Sequence, residues 1–185
     1  FLMILGLDVS TATVGYTVLD LEGNLLEMSY ISLTKTKGLT KKAFVFRNNL
    51  KKILQSHPQI EHVYIEEYFQ KFARGMSSAR TITLLAGFNG IVQFICEDEI
   101  GICPELIPVN TCRSLVGIKT QSKKKAGKDV KEQVFEWVDA HLKYNWPTKV
   151  LQSGPRKGLK ITIAETRDMA DAWVVAKAGF VKLGQ

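Results

Sequence analysis

Two apolar runs in this chain each end in an acid, and that pattern limits what the chain can fold into. Ile4-Leu5-Gly6-Leu7 closes on Asp8, and Val63-Tyr64-Ile65 closes on Glu66. A third apolar stretch, Asp-Met-Ala-Asp-Ala-Trp-Val-Val-Ala, opens on two acids, Asp168 and Asp171. A carboxylate at the end of a buried element is costly unless a positive group compensates it. Neither apolar run contains a Lys or Arg. Divalent cations would compensate, and a carboxylate site for two of them is a phosphodiester-cutting arrangement.

The periodicity predicts the elements that carry these acids. Residues 3–9 read as a buried strand, joined by the small polar loop Ser10-Thr11-Ala12-Thr13 to a second strand from Val14 to Asp20. Leu21-Glu22-Gly23-Asn24 is a turn, and Leu25 to Leu33 a third strand, completing an antiparallel meander. Ala43, Phe44, Phe46, Leu50, Ile53 and Leu54 recur at helical spacing until Pro58. Ile60 to Ile65 is a fourth strand, expected parallel to the first, which places Asp8 and Glu66 side by side at one edge.

Ser77 or Ser78 caps the next helix, which runs to about Glu97 and contains Gly87 and Gly90. Interior glycines cost about 1 kcal/mol each relative to Ala, and close approach of another helix, in the fold or from a second subunit, is a reason to keep them. Leu106 to Val109 is a fifth strand. Residues 119–128 read as a mobile basic loop, Asp129 to Lys143 as a helix, 144–160 as a long loop, and the last helix runs from near Asp168 to about Leu183. The expectation is a single α/β domain over 1–185, with a five-stranded mixed sheet, three antiparallel strands then parallel ones, flanked by helices.

Charge is informative by region. Residues 111–160 hold 12 Lys/Arg and 4 Asp/Glu, a net of +8, against +7 for all 185 residues, so the rest sums to −1. The excess peaks at Lys119, Lys123, Lys124, Lys125, Lys128 and Lys131. A polyanion partner is the natural inference, although a lone Lys run serves equally well as a solvated linker. No apolar stretch reaches the roughly 20 residues of a bilayer span, so no membrane role is expected. Residues 1–7 are apolar, but Asp8 follows at once, as in a strand and not a leader. Cys96, Cys103 and Cys112 form no C-x-x-C pair and read as free thiols in a reducing compartment. His57, His62 and His141 are scattered and read as ordinary surface or loop residues.

Asp168 and Asp171 are three apart and share a helix face. Mg²⁺ takes hard oxygen ligands, with Mn²⁺ equally compatible, and two ions about 4 Å apart bracket a scissile phosphate. Asp8 is the natural bridge between them.

These residues resemble the RuvC family of Holliday-junction resolvases, within the RNase H-like superfamily. Asp8-Val-Ser-Thr-Ala-Thr-Val-Gly-Tyr16 looks like the family's first motif, Ile65-Glu66-Glu67-Tyr68-Phe69 is similar to its second, and Asp168-Met-Ala-Asp171-Ala172 matches its C-terminal Asp-x-x-Asp-Ala. The resemblance implies that Asp8, Glu66, Asp168 and Asp171 are metal-binding catalytic acids. It implies that Phe69, or Tyr68 in its place, inserts at the junction crossover. An exposed aromatic can stack on an unpaired base for about 1–3 kcal/mol, while core packing is the plainer role for either ring. Lys131 resembles a basic position facing the site, and Arg113 a second.

The chain departs from the family in Val9-Ser10, where many bacterial members have Pro-Gly, and in longer 119–128 and 144–160 segments, which suggests a divergent viral or organellar branch. Glu67 follows Glu66, so on a strand it points to the other side. Glu97, Asp98 and Glu99 read as a solvated helix end, and Asp20 and Glu22 as turn residues.

The implied activity is metal-dependent cleavage of four-way DNA junctions by a homodimer, with the Gly-containing helix as interface and the lysines on phosphates. The location would be cytoplasmic for a bacterial or phage chain, with an organelle as the other option. An RNase H-like nuclease acting on RNA or an RNA–DNA hybrid is the alternative. A nucleotide-binding module related to sugar kinases and actin-like ATPases would need a second lobe and about twice this length.

Overall fold

Alternation of side chains along the strands splits this protein into two cores, one on each face of a single sheet. The computed structural model describes residues 2–67 and 79–184. The strands β1 (Met3–Val9), β2 (Thr13–Asp20) and β3 (Leu25–Ser32) form the expected meander. Helix α1 (Leu39–Ser56) leads to β4 (Ile60–Glu67), and α2 (Ala79–Ile100) to β5 (Glu105–Pro108). Helices α3 (Val109–Val116), α4 (Lys123–Ala126) and α5 (Val130–Leu142) follow. A hairpin of β6 (Thr148–Val150) and β7 (Lys160–Thr162) precedes the last helix, α6 (Thr166–Leu183).

The main sheet has five strands in the order β3-β2-β1-β4-β5. β1 is antiparallel to β2 and parallel to β4, and β4 is parallel to β5. Leu5, Leu7, Val63 and Ile65 face α1 and α2, where Phe46, Leu50, Phe88 and Val92 are fully buried. Ile4 and Tyr64 face the other way, against Met169, Trp173 and Val174 of α6 and Val134 and Val138 of α5. A period of two therefore carries the α6 side through Ile4, Gly6 and Asp8 on β1, and through Tyr64 and Glu66 on β4.

Small residues let α6 lie on the sheet backbone. A Cβ on Gly6 would stand 2.5 Å from the Ala176 nitrogen and 2.7 Å from the Ala172 carbonyl oxygen. One on Gly15 would stand 2.1 Å from the Asp168 carbonyl oxygen, and one on Gly179 2.1 Å from the Tyr64 ring.

The structure differs from the sequence expectation in several places. Residues 144–160 are not simply a loop: they contain β6 and the first residue of β7. Three-residue strands with mostly exposed side chains carry no alternation to read. Within 119–128, Lys123, Lys124 and Lys125 lie on the short helix α4. Helix α3 was not anticipated: it has only eight residues, and Cys112 alone among them is buried. Asp98 and Glu99 are not merely solvated: Arg47 reaches them at 2.9 and 3.3 Å, and Lys51 reaches Glu99 at 3.4 Å, tying α1 to α2. His57 is half-buried and bonds Glu27 at 2.7 Å, so it is more than a loop residue. All three cysteines are free.

Helix α2 is long and apolar enough, by length and composition, to cross a membrane, which the sequence reading had not allowed. Its inner face buries Phe88, Val92, Ile95 and Cys96 against the sheet. Its outer face keeps Leu84 and Phe94 exposed.

Gly179→Ala is expected to lower stability by about 1–3 kcal/mol, since Tyr64 is buried and must shift to admit the methyl group. That is a melting temperature roughly 2–12 °C lower for a chain of this size. An unchanged thermal transition would mean that α6 is not clamped at this point.

Candidate metal centre

The acids meet because β1, β4 and α6 end at one place. The parallel register pairs Leu7 with Ile65, so the next step sets Asp8 beside Glu66. Asp168 and Asp171 lie in the first two turns of α6, one helical step apart on the same face. Ligand oxygens of Asp8, Asp168 and Asp171 all lie within 4.8 Å of one another. Glu66 is not within that mutual radius, but the charges of Asp8 and Asp171 both act on it. Glu67 lies in alternation with Ile65 on the opposite side of the strand.

The turn behind Asp8 is held by Ser10, whose Oγ accepts from the Thr13 and Ala12 amides at 3.0 and 3.2 Å. Lys42 of α1 donates to the Thr11 carbonyl in the same turn. On the far side of the site, Asp129 caps α5 by accepting from the Glu132 amide at 2.9 Å. That cap places Lys131 in the first turn, pointing at the acids.

Lys131 is the cation that the apolar runs lacked. Its Nζ lies 2.8 Å from Asp168 Oδ1, 3.1 Å from Asp171 Oδ2 and 3.5 Å from Asp8 Oδ2. Its side chain is half exposed, while those of Asp8 and Asp171 are only 13% and 6% exposed. One ammonium group thus faces three carboxylates, with a fourth nearby. The cluster stays rich in negative charge.

The titration shifts follow from that imbalance. Burial pushes Asp8 up to about 7, Asp171 and Asp168 add to the shift, and Lys131 opposes it. Burial likewise raises Glu66 well above the ordinary carboxylate range, helped by Asp8 and Asp171 and opposed by Arg113 and Lys131. Asp171 is raised by burial, against the pull of Lys131 and Arg113. For Lys131 burial works downward, but Asp8, Asp171 and Asp168 outweigh it and hold the ammonium protonated above its usual range. Carboxylates raised by burial and by one another attract a compact divalent ion.

The donor set suits such an ion: hard carboxylate oxygens converging on one point, with a protonated amine at the centre of three of them.

The remaining sequence-predicted residues lie at various distances from this centre. Arg113, in the last turn of α3, lies close enough for its charge to act on Glu66 and Asp171. With Lys119 it lines a shallow cavity of about 220 Å³ that also includes Asn110, Ser114 and Thr120. Lys123, Lys124 and Lys125 are exposed on α4, and Lys128 pairs with Glu136 of α5. Tyr68 and Phe69 lie outside the described residues.

Sequence reasoning missed one pair that shapes the site. Arg167, beside Asp168, donates from Nε and Nη2 to Glu132, beside Lys131, at 2.8–2.9 Å. Its guanidinium also lies 4.4 Å from the centre of the Phe135 ring. This fork ties the first turn of α5 to the first turn of α6. The partners are 35 residues apart, and no local pattern in either segment signals the pairing.

No family model matches the chain. Curated proteins do. Over 165 residues the chain is 29% identical to the crossover junction endodeoxyribonuclease RuvC of Aliarcobacter butzleri, covering 88% of this chain and 97% of that one. The RuvC of a Sulfurovum strain is also 29% identical, over 162 residues, covering 86% and 92%. Among solved structures, Thermus thermophilus RuvC in complex with a Holliday junction substrate superposes with a TM-score of 0.65 at 15% identity, covering 100% of this chain and 96% of that one. The yeast mitochondrial Holliday junction resolvase Ydc2 superposes with a TM-score of 0.52 at 17% identity, over 96% and 77%. The acids that end β1 and β4 and open α6 therefore sit in a fold shared with these proteins over nearly the whole chain, and by sequence and architecture together this is a RuvC-like protein with an RNase H-like fold.

Proposed function

We propose that this protein is a Holliday-junction resolvase: an endonuclease that cuts four-way DNA junctions by metal-dependent phosphodiester hydrolysis. The observation that carries the reading is the convergence of Asp8, Asp168 and Asp171 within 4.8 Å in a RuvC-like chain. Asp8, Asp168 and Asp171, joined by Glu66, would hold two Mg²⁺ or Mn²⁺ ions. Bound there, the ions supply Lewis acidity and a water activated at neutral pH.

The protein's own groups handle charge and position. Lys131 partly offsets the acids when they are alone and is placed to meet a phosphate oxygen at the same spot. Arg113 offsets Glu66 from the α3 side. Asp8, as the acid flanked by both the α6 pair and Glu66, would help to hold either ion. Lys119, Lys123, Lys124, Lys125 and Lys128 form a basic flank for the phosphate backbone, which makes binding steeply salt-dependent. Phe69, with Tyr68 beside it, is assigned by the motif to the junction crossover.

A four-way junction offers two symmetric cleavage points, which two-fold pairing of the chain would match. The surface that supports pairing is the outer face of α2. Leu84 and Phe94 are 40% and 63% exposed there. A Cβ added to Gly90 meets nothing within 4 Å, and one on Gly87 meets only Leu39 at 3.8 Å. No neighbour within the described residues accounts for either glycine, so the sequence expectation of close helix approach falls to a second copy of the chain.

Purified protein with Mg²⁺ should nick a synthetic four-way junction symmetrically, and should cut it in preference to an RNA–DNA hybrid. Equal cleavage of the two would overturn the substrate assignment. Asp8→Asn should lose cleavage by on the order of a thousandfold or more while still binding the junction.

A second test reads the metal site through stability. An acid held above its unfolded pKa favours the folded state while it is protonated. For Asp8, raised from 3.8 to about 7, that contribution is complete near pH 4 and disappears as pH rises past 7. In EDTA the melting temperature should therefore fall between pH 5 and pH 8, and fall less in Asp8→Asn. Mg²⁺ or Mn²⁺ at pH 8 should raise it again in the wild type only. A metal response equal in both proteins places the ions elsewhere.

A third test addresses assembly. Leu84→Glu with Phe94→Glu should convert a dimer into a monomer in sedimentation, without lowering the thermal transition of the monomer. A wild-type chain that sediments as a monomer at all concentrations removes the proposed interface.

A further inference from the structure

Residues 148–163, the β6–β7 hairpin with its tip, carry Lys149, Arg156, Lys157 and Lys160 and no acid, a net charge of +4. All four cations are exposed. Among the described residues none of them forms an ion pair, whereas Lys128, Lys131, Arg167 and Lys182 all do. The sequence counted its cations only within the basic excess of 111–160 and read the segment itself as a loop.

The hairpin is ordered and firmly footed. Its ladder pairs Thr148 with Thr162, Lys149 with Ile161 and Val150 with Lys160, and continues through the Leu151 amide donating to the Leu159 carbonyl at 3.0 Å. Gly154 and Gly158 supply the left-handed backbone that turns the tip. One foot is Trp146, buried between Phe135 and Tyr144, with its indole donating to Asp139 at 2.7 Å. The other foot is Thr162, which accepts from Arg167 Nη1 at 2.8 Å. Arg167 is the residue that also grips Glu132. The same fork thus holds the hairpin, the turn carrying Lys131 and the turn carrying Asp168 in one orientation.

We propose that this hairpin is a second phosphate-gripping arm, which contacts a duplex arm of the DNA beside the cleavage centre. The inference rests on the resolvase reading and deepens it. Five residues from Pro147 to Leu151, at about 3.3 Å each, carry the tip roughly 15 Å from its base, the length of four to five base-pair steps at about 3.4 Å. Four unpaired cations on a narrow ribbon match a line of phosphates, and a two-stranded ribbon is slim enough to enter a major groove. Arg156 and Lys157 at the tip meet the duplex farthest from the cut. Lys149 and Lys160 meet it nearer.

The test is a binding titration of a labelled four-way junction and a linear duplex at several salt concentrations, in an Asp8→Asn background that does not cut. Replacing Lys149, Arg156, Lys157 and Lys160 by Gln should weaken junction binding about tenfold or more near physiological salt. It should also flatten the slope of log affinity against log salt by about 2–4. Lys149→Arg with Lys157→Arg and Lys160→Arg should retain both. If the fourfold variant melts early, Arg156→Gln with Lys157→Gln, outside the ladder, carries the test with about half the change in slope. Unaltered affinity and slope, with a parent that binds the junction tightly, overturn the hairpin's role and leave the resolvase reading intact. A parent that prefers the junction no more than the linear duplex overturns the resolvase reading instead, and is recognised without any hairpin variant.

Discussion

Everything at this site depends on how closely α6 lies against the sheet. Gly6 and Gly15 present bare backbone to the helix, and Ala172 and Ala176 present the smallest side chains in return. Gly179 accepts the Tyr64 ring where any larger residue would hold it off. With those contacts the Asp168 carbonyl sits on β2 and the Asp171 side chain hangs over the end of β1. A helix displaced by one methyl layer would move its carboxylates by more than an ångström relative to Asp8. That is a large error for ligands that must share an ion. Glycine inside a strand sacrifices packing and entropy, and here the return is the helix position.

The same closeness makes the site electrostatically expensive. Asp8, Glu66 and Asp171 are all raised by burial, and one lysine facing three acids does not neutralise them. Stability is given up locally for a place suited to a doubly charged ion, the usual relation between a functional site and the fold that carries it. Lys131 lessens the cost in the meantime. It does so from α5, whose first turn the Glu132–Arg167 fork ties to the first turn of α6. The counter-charge and Asp168 are thus held in one arrangement.

The parts legible in sequence are those governed by short periods. The apolar runs in 3–9 and 60–65 foretold buried strands, and the helix between them a parallel pairing that sets Asp8 beside Glu66. The three-residue spacing of Asp168 and Asp171 foretold a common helix face. The close approach of α6 was also readable in principle, in Gly6 and in the Ala172, Ala176 and Gly179 series, but a small residue in an apolar run reads equally well as filler until a partner is known. Other features were out of reach. Glu132 and Arg167 meet across 35 residues with no repeating pattern. The β6–β7 hairpin has strands of three residues, mostly exposed, so neither period nor burial marks it. Helix α3 is eight residues long with one buried side chain, shorter than the windows over which helical periodicity is read.

The sheet also separates tasks by face. Helices α1 and α2 cover one side, with their core of Phe46, Leu50, Phe88 and Val92, while α5 and α6 cover the other. The acids belong to the α6 side, and the exposed apolar stripe of α2 belongs to the opposite one. One direct link between α2 and the acid-bearing strands is Asn89, which donates to the Glu66 carbonyl at the end of β4, 3.5 Å away. The basic segments follow a similar logic: α4 and the hairpin are inserted at either end of α5, so both flank Lys131 without crossing the sheet. A chain built this way can lengthen its basic segments while the glycine contacts that place α6 stay unchanged. The charge excess confined to residues 111–160 is what such growth would leave in a sequence.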